Sequence, residues 1–138
     1  MVEAGAAVNV PPPLTPGGPP IFLGGQKPRG IALAARAAHG WLLPGTDAGD
    51  VAYFSARRDE IMRALEVTGR DPSGFELVGQ VMTGADAGTR TTALGQARAL
   101  IQAGATEIVL GMPAALGPAG LDAIHRELLL PLREAAAA

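Results

Sequence analysis

The stretch Pro19-Pro20-Ile21-Phe22-Leu23-Gly24-Gly25-Gln26-Lys27-Pro28 sets the reading of the whole chain. Ile21-Phe22-Leu23 is an apolar run too short for a helix, opened by prolines and stopped by glycines, which fits a buried strand. Pro28 suits the first turn of a helix, where its missing N–H has no partner to lose. Behind it Ile31, Ala34, Ala35 and Ala38 fall on one face. The spacing therefore predicts a helix from Pro28, with Gly40 as its left-handed stop.

Working outward toward the C-terminus, the same unit recurs. Trp41-Leu42-Leu43, ended by Pro44-Gly45, predicts a second strand. Val51, Phe54, Arg58, Ile61 and Leu65 form a helical stripe from about Asp50 to Thr68, with Gly69 as the stop and the aliphatic stem of Arg58 laid over the core edge. Phe75 to Met82 predicts a third strand, closed by Thr83-Gly84. Leu94, Ala97 and Ile101 mark a third helix before Gly104. Glu107 to Leu110 predicts a fourth strand, and Leu121, Ile124, Leu128 and Leu132 a fourth helix. Strand followed by helix, four times over, implies a parallel α/β sheet, since a parallel neighbour is reached only by a crossover. Apolar strands imply cover on both faces. Two architectures satisfy this pattern: a small open doubly wound sheet, or half of an eightfold β/α barrel.

Composition narrows the functions. The chain has 138 residues, 11 Lys+Arg against 13 Asp+Glu, a net charge of −2 and 48% hydrophobic residues. That is enough for one domain with a real core. The balance of charge argues against a nucleic-acid partner, which draws on a basic face. The absence of Cys removes thiolate metal sites, disulfides and thiol catalysis. Residues 4–26 carry no charge, but six prolines interrupt them, so they do not predict a membrane helix. No basic stretch and no continuous apolar run of the secretory kind follows Met1. The expectation is a cytoplasmic protein with no membrane partner and no metal, organised as a Pro/Gly-rich flexible arm over residues 1–18, a folded unit over 19–135 and a frayed tail at 136–138.

The quoted stretch, continued by Ala34-Ala35-Arg36-Ala37-Ala38-His39-Gly40-Trp41, resembles the pattern of the luciferase-like monooxygenase family, which uses flavin or the deazaflavin coenzyme F420. Gly69-Arg70-Asp71-Pro72, Gly104-Ala105-Thr106-Glu107-Ile108-Val109-Leu110 and Pro131-Leu132-Arg133 match further motifs in the same order. The resemblance covers only the C-terminal half of such an enzyme. It implies four consecutive β/α units, the C-terminal half of a TIM-type (β/α)8 barrel. It implies an oxidoreductase that transfers hydride between F420, or alternatively FMN, and a small organic substrate. Four strands left open would have two free edges and a bare apolar inner face, so the expectation is a separately encoded N-terminal half-barrel, closure by a second copy, or a truncated reading frame. The alternative function is a catalytically incomplete half-barrel subunit or remnant acting through oligomerisation.

On the residues alone, Gly24-Gly25 reads either as a simple turn or as a cradle where backbone N–H groups and a helix dipole meet an anion. The resemblance implies the cradle, with Gly24, Gly25, Gln26, Lys27 and Trp41 as cofactor-binding candidates. No catalytic residue is assigned. His39, where the family more often has Asp, reads either as an acid–base group or as a helix C-terminal residue. Asp47 and Asp50 read as helix caps, Arg57 and Arg58 as a solvated face paired with Asp59 or Glu60.

Overall fold

The computed structural model describes Leu14 and residues 17–137. The Pro/Gly-rich arm expected over residues 1–18 thus lies almost wholly outside the described residues, as does Ala138 of the expected tail. The elements are β1 (Phe22–Leu23), α1 (Pro28–Ala37), β2 (Gly40–Leu42), α2 (Val51–Thr68), β3 (Glu76–Met82), α3 (Ala87–Gln102), β4 (Glu107–Gly111), α4 (Gly117–Ile124) and α5 (Leu130–Ala137), with a π-helical turn over His125–Leu129 between the last two.

All strand pairs are parallel, and the sheet order is β1-β2-β3-β4. Right-handed crossovers that always advance in one direction put every helix on the same side of the sheet. A doubly wound sheet covers its second face by reversing direction, and no reversal occurs here. The strand side chains divide accordingly. Trp41, Leu43, Leu77 and Val81 enter one core with Phe54, Ile61 and Leu65 of α2 and with Ala93, Ala97 and Leu100 of α3. The alternate residues Phe22, Leu42, Val78, Glu107 and Val109 line a shallow trough on the other face, built from strand residues alone. The cover on both faces that apolar strands imply is therefore absent among the described residues.

Gly40 does not stop α1. The helix ends at Ala37, Ala38 is extended (φ −94, ψ 163), and Gly40 opens β2. A Cβ at Gly40 would sit 2.5 Å from the Phe22 ring and 2.6 Å from the Glu76 carbonyl oxygen, so its bareness serves the packing of Phe22 across the sheet. The last turn of α1 is closed instead by Arg70, which donates to the carbonyls of Ala35 and Ala38 at 2.8 and 2.9 Å. In α2 the expected stops hold: the Asp50 carboxylate accepts from the Tyr53 N–H at 2.8 Å, and Gly69 is left-handed at φ 69. Arg58 lays its stem beside Gly104 and donates to the Ala103 carbonyl.

The buried stripe of α3 is Arg90, Ala93, Ala97 and Leu100, whereas Ile101 is exposed and Leu94 only half-buried. Two features rotate the helix from the expected Leu94–Ala97–Ile101 face. Gly79 leaves room for Leu100 and Ile108, whose Cδ1 atoms would lie 3.2 and 2.8 Å from a Cβ there. Arg90 enters the stripe because Glu127 pairs with it at 2.7 Å. The fourth expected helix is interrupted by the π turn. In a regular helix Pro131 would leave the Glu127 carbonyl without a donor and press its ring on that group, and the wider turn avoids this.

Candidate functional site

The bend Gly24–Lys27 follows directly on the carboxyl end of β1 and leads into α1. Its glycines differ. Gly24 is exposed, and a Cβ there would meet only the Leu42 carbonyl oxygen at 3.5 Å. Gly25 is half-buried, and its Cβ would lie 2.8 Å from the Cα of Gly30, so the bend touches α1 backbone to backbone.

Three side chains fasten this bend from the helix layer. Trp41 is fully buried beside Phe54 and donates its Nε1–H to the Gly25 carbonyl at 3.1 Å. The Tyr53 hydroxyl donates to Gln26 Oε1 at 2.6 Å, and Arg57 donates to the Gln26 carbonyl at 3.2 Å. Gln26 is half-buried; Lys27 is exposed at the N-cap of α1, extended at φ −86 and ψ 158, with its carbonyl accepting from Gly30 and Ile31. The candidates Gly24, Gly25, Gln26 and Lys27 are thus contiguous on the surface. Trp41 reaches them from beneath, through the Gly25 carbonyl.

At this end of the sheet the N-terminus of α1 differs in charge from those of α2 and α3. The N-termini of α2 and α3 each hold a carboxylate of their own, Asp50 and Asp86. The hydroxyl and the N–H of Thr89 hold Asp86 below the ordinary carboxylate range. The first turn of α1 contains no acidic residue and no side-chain cap, and Lys27 adds a positive charge. An anion is therefore favoured at the β1 bend and opposed at the α3 terminus.

His39 lies at the opposite, amino-terminal end of the sheet, where its Nδ1 accepts from the Ile21 N–H at 2.9 Å. That bond, and not chemistry at the bend, accounts for it. Asp50 caps α2 as expected, whereas Asp47 accepts from the neighbouring Thr46 hydroxyl at 2.8 Å. Arg58 pairs with Asp59 at 2.7 Å and Arg57 with Glu60 at 2.6 Å, but Arg57 also turns inward to Gln26. It is not simply part of a solvated face. Tyr53 and Arg57 are the site residues that sequence reasoning missed; their links cross 27 and 31 residues, beyond any helical periodicity. Among the described residues, no cluster of His, Asp or Glu is arranged to hold a metal, and no helix is long and apolar enough to cross a membrane.

The class defined by this architecture is a one-directional parallel β/α fold with a glycine bend at the carboxyl end of its first strand, leading into a helix N-terminus that holds no carboxylate. The chain belongs to the luciferase-like monooxygenase family, whose sequence profile matches residues 3–134. Among solved structures it is similar to the coenzyme F420-dependent tetrahydromethanopterin reductase from Methanopyrus kandleri, with 14% identity and a TM-score of 0.60. That match covers 80% of this chain and 50% of the reductase, so the chain spans about half the length of that relative. At this identity the likeness speaks for the fold. No curated protein matches the chain.

Proposed function

We propose that the chain is the C-terminal (β/α)4 half of a luciferase-like barrel and binds the phosphate end of coenzyme F420, with FMN as the alternative, at Gly24–Lys27. The observation that carries this reading is the bend itself: an exposed Gly24 and a half-buried Gly25 at a strand's carboxyl end, running into a helix N-terminus that no carboxylate occupies. Barrel enzymes build their sites at that end of the strands, and helix N-termini favour phosphate. The residues present fit such a group. Gly24 lets it approach the backbone, Lys27 supplies charge, and no hydrogen bond to the N–H of Gln26 or Lys27 is made among the described residues.

The coenzyme's ring supplies the hydride chemistry. This chain's part is to bind and orient it, and the substrate side belongs to the complementary half, a separately encoded N-terminal half-barrel or a second copy. The bare trough over Phe22, Leu42, Val78 and Val109 supports that second element of the reading. The test is titration of the purified chain with F420 and with FMN, alone and after mixing with the N-terminal half of a full-length family member. Binding that competes with inorganic phosphate and is lost on charge reversal at Lys27 is expected. No binding of either coenzyme to the assembled pair would discard the reading.

A further inference from the structure

We infer that Tyr53 and Arg57 of α2, together with Trp41, are positioning residues that hold the Gly24–Lys27 bend with its peptide N–H groups turned outward; their effect on coenzyme affinity rests on the phosphate reading above. In a planar trans peptide the C=O and the following N–H point in opposite directions. Trp41, fully buried, draws the Gly25 carbonyl toward the helix layer, which turns the Gln26 N–H away from it. Arg57 draws the Gln26 carbonyl toward α2, which turns the Lys27 N–H away from α2. Tyr53 fixes the Gln26 side chain by its 2.6 Å bond, and so removes the amide group that would otherwise compete for those donors.

The holding side chains are themselves held. The Arg57 guanidinium lies 5.4 Å from the Tyr53 ring centroid and is gripped by Glu60 at 2.6 Å. Its charge is thus answered within α2, so its action at the bend is orientation more than attraction. Its Nε is buried with no hydrogen-bond partner among the described residues. Arg57 is thus drawn inward to Gln26 and Glu60 and is not merely solvated.

Trp41 is the only tryptophan, so one indole N–H reports on the bend. The experiment uses the full chain with Tyr53→Phe, Arg57→Met and Arg57→Lys. NMR follows exchange of the indole N–H and the order parameters of the amides of residues 24–27. Binding is measured with F420, FMN and inorganic phosphate as probes. Tyr53→Phe and Arg57→Met are expected to remain folded, to speed indole exchange about tenfold and to weaken the probe that the wild type binds by a similar factor. Arg57→Lys, which keeps one donor for the Gln26 carbonyl, is expected to recover most of both. Unchanged exchange and order in folded Tyr53→Phe and Arg57→Met overturn the clamp. A loosened bend with unchanged probe affinity overturns its role in binding. A wild type that binds none of the probes discards the phosphate reading instead, and the clamp is then judged by the indole exchange alone.

Discussion

Gly24 and Gly25 are adjacent, yet they are glycine for different reasons. Gly25 is pinned against the Gly30 backbone, where neither partner is a flexible side-chain tip that can swing aside. Gly25→Ala is expected to lower stability by about 1–3 kcal/mol, the usual range for overpacking. Gly24→Ala is expected to leave it within about 0.5 kcal/mol, as for surface substitutions, while weakening the F420 or FMN binding proposed above. Urea denaturation of both variants checks this contrast, and equal losses would refute the assignment of Gly25 to packing. The double glycine was legible in the sequence as a strand-to-helix bend, because apolar run, glycines and proline follow one another without a gap. The division of labour between them was not, since it depends on how closely α1 folds back. Gly40 teaches the same lesson. Read locally it is a helix stop; in the sheet it is the floor beneath the Phe22 ring.

At the scale of elements, the helix ends carry the information. Asp50 and Gly69 bracket α2 as their residue types foretell, since capping is a local property. Asp50→Ala is expected to destabilise the chain by about 1 kcal/mol in urea denaturation. The α3 stripe was less legible, because Arg90 lies in it and its partner Glu127 is 37 residues away. The Arg90 guanidinium hydrogen-bonds to Glu127 and holds that carboxyl below its usual range. A carboxyl lowered by folding contributes stability above its unfolded value, about 4.3 for Glu, and loses it as the pH falls through the folded value. Stability is therefore expected to decline on acidification below about pH 4.5, and Glu127→Gln is expected to flatten that decline. Thermal unfolding between neutral pH and pH 3 compares the two; parallel profiles would remove the pair from the acid response.

The whole molecule is defined by what its topology leaves open. Among the described residues, a sheet that advances in one direction has two free edges and one face without helices, and a closed barrel removes both. Strand–helix alternation made the parallel sheet legible, but not that the described helices all lie on one face, because inward-facing strand residues are apolar in either architecture. Val109 separates the two faces experimentally. It lines the bare trough and is 37% exposed, whereas Val81 on the other side is fully buried in the helix-covered core. Lysine at position 81 would place an unpaired charge in that core and is expected to prevent folding. Val109→Lys leaves the ammonium in water and is expected to change the stability of the isolated chain by no more than about 0.5 kcal/mol. Against the complementary half-barrel proposed above, the same substitution would bury the charge, so association measured by sedimentation is expected to weaken about tenfold. If Val109→Lys pairs as tightly as the wild type, the trough is not the surface through which the barrel closes. If it unfolds the isolated chain, the face is already covered, and a second half has nowhere to dock.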